Sequence, residues 1–80
     1  MNREALRTAV LAALGEVAPE AELDRLAPGA ELREALDLDS IDFLRFVQRV
    51  AAATGVEVPE SDYAQLSTLE GVVAYLASRS

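Results

Sequence analysis

The run Leu36-Asp37-Leu38-Asp39-Ser40-Ile41-Asp42-Phe43 gathers three carboxylates around one hydroxyl, the densest group of chemically able side chains in this chain of 80 residues. Paired carboxylates can serve as general acid and base, but only where burial drives their pKa values apart. Three helices around a core this small leave no deep pocket for that purpose. Calcium needs another pattern. An EF-hand loop begun at Asp37 requires Gly at its sixth position and Glu at its twelfth, where Asp42 and Gln48 stand. No catalytic residue and no metal ligand is therefore assigned. Ser40 is different. Asp39-Ser40 is an ordinary helix start. It also sets an exposed hydroxyl at the positive end of a helix dipole, where backbone N–H groups can face an anion. Such a serine is well placed to carry a phosphate ester, provided that a cation or a partner's basic surface offsets the local acids. Helix-start chemistry alone does not choose between a plain cap and a modified serine.

The remaining composition narrows the function classes. Fourteen Asp and Glu stand against seven Arg, with no Lys, for a net charge of −7. Cys, His and Trp are absent. That removes zinc fingers, thiol nucleophiles, redox pairs and imidazole bases. Without a basic cluster, nucleic acid and anionic membrane surfaces are not expected partners. No apolar run reaches the ~18 residues of a membrane span, and Met1-Asn2-Arg3-Glu4 lacks the order of a signal peptide. A cytoplasmic location is the expectation. Half of the chain is apolar, which takes it out of the disordered class.

Elements that must position Ser40 can be read from periodicity. Fifteen alanines and few aromatics favour helices that approach closely, and an all-α fold. Asn2 caps a first helix over residues 3–17, whose stripe is Leu6, Val10, Leu14 and Val17 with Ala9 and Ala13 beside it. Residues 18–39 read as a long loop with Pro19, Pro28 and Gly29, pinned by Leu23, Leu26, Leu32 and Leu36. One short helical turn over 20–26 also fits it. The second long helix covers 40–54, capped by Asp39 and stopped by Gly55. Steps of 100° turn Phe43, Phe46, Val47, Val50 and Thr54 inward, and set Ile41, Arg45, Gln48 and Ala52 opposite, with Leu44 on the flank. A short helix over 60–65 follows. Ser67 and Glu70 form a capping-box pattern for a last helix over 68–78, with Leu69, Val72, Val73 and Leu76 as its stripe. Gly71 within it costs about 1 kcal/mol relative to Ala.

Asp39-Ser40-Ile41-Asp42 resembles the signature of the acyl carrier protein family, an Asp-Ser-Leu or Asp-Ser-Ile step opening the second helix. The resemblance continues through Val56-Glu57-Val58-Pro59-Glu60, Leu66-Ser67-Thr68-Leu69 and Val73-Ala74-Tyr75-Leu76, without a gap from Leu36 to Leu76. The amino-terminal third matches only in pattern. The resemblance implies a small four-helix bundle forming one carrier domain over 1–80, with 4′-phosphopantetheine attached covalently to Ser40 from coenzyme A. It implies a non-enzyme that presents acyl or aminoacyl cargo as a thioester to partner enzymes, as in fatty acid or polyketide biosynthesis. Asp39, Ile41 and Asp42 would be recognised around the site by a phosphopantetheinyl transferase. Leu44, Arg45 and Gln48 would meet acyl- or aminoacyl-loading and acyl-processing enzymes. A free-standing monomer ending at Ser80 is expected. The alternative is an unmodified helical interaction module using the same exposed face.

Two departures stand out. Where the family commonly has Gly, two positions before the Asp of Asp-Ser, this chain has Asp37. Its second helix carries Arg45 and Arg49, with Ala51, Ala52 and Ala53 at positions where acids are frequent in fatty-acid carriers. A specialised partner with a less basic groove is one explanation, and a solvated helix face is the other. Small residues such as Ala51 and Ala74 could leave room for cargo between helices, although close helix packing accounts for them as well.

Overall fold

Asn2 starts the first element as its type and position dictate: its side-chain oxygen accepts the Ala5 N–H at 2.7 Å. In this computed structural model, which describes residues 1–79, the helix so capped is α1, Arg3–Val17. The expected end of the chain at Ser80 lies outside the described residues. Leu6, Val10, Ala13 and Leu14 are buried, the stripe expected from their spacing, while Val17 is half-buried against the core. A turn of 3-10 helix at Leu23–Arg25 and a short helix α2, Leu32–Ala35, follow. Next come α3, Ser40–Thr54, a 3-10 helix at Glu60–Leu66, and α4, Leu69–Arg79. The all-α bundle thus stands as expected. Helix α1 packs on both α3 and α4, and the second 3-10 helix packs on α4.

Residues 18–39 hold more structure than an anchored loop. The turn at Leu23–Arg25 falls inside the stretch where one was thought possible. Helix α2, four residues long, was not foreseen. So short a helix has no periodicity to reveal it, and isolated helices of this length do not form. Tertiary contacts make it. Leu32 is fully buried, and its N–H donates to the Ser67 carbonyl at 2.7 Å. Glu31 and Thr68 form an isolated antiparallel bridge, and the Glu70 N–H donates to the Pro28 carbonyl at 2.9 Å.

That attachment also moves the cap of α4. Ser67 faces Leu32 with its carbonyl, and Thr68 does the capping: its hydroxyl oxygen accepts the Gly71 N–H at 2.9 Å. The box expected from Ser67 and Glu70 is replaced by a cap one residue later, so α4 begins at Leu69. Gly71 has a reason to be there. A Cβ on it would lie 2.8 Å from the Gln65 carbonyl oxygen, so the glycine lets the 3-10 helix and α4 meet closely. Ala74, considered as possible space for cargo, is exposed, and Ala51 is half-buried; neither lines a hollow.

The second 3-10 helix is held at both sides. Tyr63 meets Phe43 of α3 edge to face, with centroids 6.1 Å apart. Asp62 accepts the Tyr75 hydroxyl of α4 at 2.6 Å and lies 3.5 Å from the Arg79 guanidinium, which stacks over the Tyr75 ring. The bond to Asp62, then burial, push the Tyr75 phenol above its ordinary value, and Arg79 opposes them only in part. A raised phenol pKa means that folding favours the protonated ring. Its stabilisation is full below the unfolded value of 10.0 and is lost as pH rises through the folded one. Denaturant unfolding of Tyr75→Phe should accordingly show a stability deficit against the native chain at neutral pH. That deficit should close above pH ~10.

Candidate functional site

Two helix ends meet back to back just before Ser40. Helix α2 stops with the Leu38 N–H donating to the Arg33 carbonyl at 2.9 Å and with Asp37 at φ 53°, in the left-handed region. Together these make a Schellman termination. Leu38 then drops into the core, and Asp39 at once caps α3. The Asp39 carboxylate accepts the Asp42 N–H at 2.8 Å, while the Asp42 carboxylate accepts the Asp39 N–H at 3.4 Å. This is a reciprocal capping box with aspartate in the place usual for glutamate. Ser40, the first residue of α3, is thereby set by a buried leucine on one side and a closed box on the other.

Asp37 is the one non-glycine residue with positive φ among the described residues. It stands where the resemblance leads one to expect glycine, and its backbone lies in the region that glycine adopts most readily. Asp tolerates this region better than most residues, yet less well than Gly. Asp37→Gly is expected to raise stability by about 0.5–1 kcal/mol in chemical denaturation, and Asp37→Val to lower it.

Around Ser40 the structure sorts the expected residues into two groups. Ser40, Asp39 and Asp42 are drawn together by the capping box, and the Ser40 hydroxyl has no hydrogen-bond partner among the described residues. The box occupies the Asp39 and Asp42 amides, leaving those of Ser40 and Ile41 to water or an anion. Ile41 and Leu44 remain 66% and 42% exposed, and Arg45 and Gln48 are exposed beside them, on the side opposite Phe46, Val47 and Val50.

Arg49 has a different place. Its guanidinium lies 3.0 Å from the Glu16 carboxylate and bridges α3 to α1, so the supposed basic face of α3 reduces to Arg45. Sequence alone pairs Arg49 with Arg45 on the second helix and does not show which acid of α1 comes alongside.

Beside Ser40 runs an open groove of about 570 Å³ between α3 and the second 3-10 helix, floored by Phe43, Leu44, Tyr63 and Ala64 and edged by Arg33 and Glu60. None of its walls except those on α3 was foreseen. Glu31 and Arg33 stand nine and seven positions before Ser40, and Glu60, Tyr63, Ala64 and Ser67 twenty or more after it; the Leu32–Ser67 attachment brings the two sets together, and no local pattern announces them. A second, wider hollow of about 810 Å³ lies under the α1–α3 connection and does not reach Ser40. No group of three or more His, Cys, Asp or Glu among the described residues could hold a metal ion. Nor is any described helix long and apolar enough to cross a membrane.

Comparison with known proteins bears on this arrangement. The family described as "Phosphopantetheine attachment site" matches residues 4–76. An acyl carrier protein of Rubrobacter xylanophilus is 31% identical over 51 residues, which cover 64% of this chain and 63% of that protein. An acyl carrier protein of Lactobacillus johnsonii is 33% identical over 55 residues, 69% of either chain. The matched stretch therefore spans slightly under two thirds of the Rubrobacter protein and slightly over two thirds of the other.

Proposed function

The chain belongs to the phosphopantetheine attachment site family, and from that premise we propose that it is an acyl carrier protein loaded at Ser40. The single observation that carries the proposal is the Ser40 hydroxyl: exposed, without a hydrogen-bond partner among the described residues, and fixed at the start of α3 by two helix ends. Those features fit 4′-phosphopantetheine. An attached phosphate would meet the free amides of the first turn, and the groove starting at Ser40 gives an arm an apolar wall to follow. When bound, the group supplies a terminal thiol that takes acyl cargo as a thioester, which explains how a chain without Cys can serve as a carrier.

The residues of the chain have modest tasks. Ser40 Oγ would attack the pantetheine-bearing phosphorus of the coenzyme A pyrophosphate; the new O–P bond would form as the P–O bond to the second phosphate breaks, and adenosine 3′,5′-bisphosphate would leave. The hydroxyl proton leaves to a base of the transferase; His and Lys are absent from this chain, and the Asp39 and Asp42 carboxylates are engaged by backbone N–H groups of the capping box. Asp39 and Asp42 hold the hydroxyl in position and give a phosphopantetheinyl transferase an acidic rim to recognise. Ile41, Leu44, Arg45 and Gln48 form the face that meets loading and processing enzymes. The chain itself catalyses nothing; residues 1–80 act as one carrier domain, a cytoplasmic monomer.

Incubation with coenzyme A and a broad-specificity phosphopantetheinyl transferase should add the mass of one phosphopantetheinyl group to the intact chain. An unmodified mass would leave the rival, an unmodified interaction module, in possession of the same α3 face.

A further inference from the structure

The acids around Ser40 pose an electrostatic problem for a carrier. Loading puts a phosphodiester anion next to Asp37, Asp39 and Asp42, and like charges at that range oppose it. A cation of the chain itself, if close enough, offsets them. Seven arginines are available. Arg25, Arg49 and Arg79 are engaged with Glu22, Glu16 and Asp62. Arg45 lies five residues past Ser40 on α3, about 140° around the helix. Arg3 and Arg7 belong to α1 and do not line the groove.

Arg33 alone of the seven shares the groove with Ser40. Its guanidinium lies 5.9 Å from the centroid of the Phe43 ring. Phe43 is three positions after Ser40, so the two side chains are neighbours on one face of α3. The guanidinium therefore lies beside the Phe43 floor of the groove that Ser40 also lines, and the contact with an aromatic ring leaves its N–H groups uncommitted. No ion pair engages it among the described residues, although Glu31 and Glu60 line the same groove. Backbone geometry fixes its root: the Arg33 carbonyl accepts the Leu38 N–H in the termination that leads to Ser40.

We propose that Arg33 binds the phosphodiester formed at Ser40, and so sets the direction in which the arm leaves the protein, along the groove between α3 and the second 3-10 helix. The proposal rests on the carrier reading and adds to it a binding residue outside the Asp-Ser-Ile-Asp run. A planar guanidinium matches phosphate oxygens with two parallel N–H bonds, which a single ammonium does not.

NMR on the enzymatically loaded chain tests it. Loading should shift the Arg33 Nε–Hε resonance and slow its solvent exchange by about two- to fivefold, the range set by an exposed ion pair. The Arg45 resonance should stay in place. The 31P line of the loaded Arg33→Gln protein should move away from that of the native protein. Loaded Arg33→Lys should fall between the two, and loaded Arg45→Gln should match the native position. Raising the salt should carry the native line toward the Arg33→Gln position. A chain that loads, with an Arg33 Nε–Hε resonance indifferent to loading, would overturn the role of Arg33 and leave the carrier reading standing. Should Arg33→Gln refuse loading, the apo-to-holo comparison of the native chain still decides. A native chain that never gains the phosphopantetheinyl mass would overturn both.

Discussion

Ser40→Ala is expected to abolish loading completely while leaving the fold and its stability unchanged. The separation of the two effects follows from the position. Ser40 is the first residue of α3 and exposed, its hydroxyl makes no hydrogen bond among the described residues, and the cap is made by Asp39. Removing the oxygen therefore costs no contact, and alanine is the better helix former. Surface changes of this kind stay within about 0.5 kcal/mol. The chemistry, by contrast, has no substitute. Among the other serines of the described residues, Ser61 and Ser78 lie on other helices and Ser67 between two, and none starts an α-helix after a capping aspartate. Thermal melts of the two proteins should superimpose, with the mass gain confined to the native one. A loaded Ser40→Ala protein would move the attachment elsewhere.

Leu32→Ala should have the largest effect on stability. Leu32 is fully buried in the single core cluster, and it is the residue by which the segment before Ser40 is fastened to the rest. Deleting its side chain leaves a cavity and costs about 2–5 kcal/mol, and leaves the segment tied by backbone contacts: the Leu32 N–H to the Ser67 carbonyl, the Glu31–Thr68 bridge and the Glu70 N–H to the Pro28 carbonyl. For a chain of this size that lowers Tm by about 10 °C or more. The loss should also be local. Hydrogen exchange of the Leu38 amide, which closes α2, should speed up more than that of Val10 in the middle of α1. Leu44→Ala on the exposed face serves as the comparison, and should leave the melt nearly unchanged. Equal exchange at Leu38 and Val10 would mean that the fold fails as a whole and that Leu32 has no special hold on the site.

How much of this was visible in advance depends on the range of the interaction. Leu6, Val10 and Leu14 announce α1 because four turns repeat one face, and Phe43, Phe46, Val47 and Val50 do the same for α3. Asp39 and Gly55 mark the ends of α3 by local chemistry, the first through its side-chain acceptor and the second through its left-handed backbone. Ser40 belongs with them, since the step from Asp to Ser to Ile is itself local. Interactions made across the chain were hidden. Helix α2 exists because Leu32 reaches Ser67, and the same contact chooses Thr68 over Ser67 as the cap of α4. Nothing in the local sequence singles out Arg33, whose place beside Phe43 depends on α2. Arg49 looked like half of a basic face until Glu16 came alongside. Asp37 marks the boundary between the two cases: the missing glycine was evident, but not that the backbone keeps a left-handed turn without it.

The central claim is that cargo travels as a thioester on an arm attached to Ser40, and one measurement addresses all of it. The chain would be purified from cells that contain its own transferase and partners, and its intact mass recorded before and after neutral hydroxylamine, with fragmentation to locate the modified residue. The account predicts a phosphopantetheinyl group on Ser40 and, on part of the protein, an added acyl mass that hydroxylamine removes. A chain carrying no such group, or carrying it on any residue other than Ser40, would contradict it.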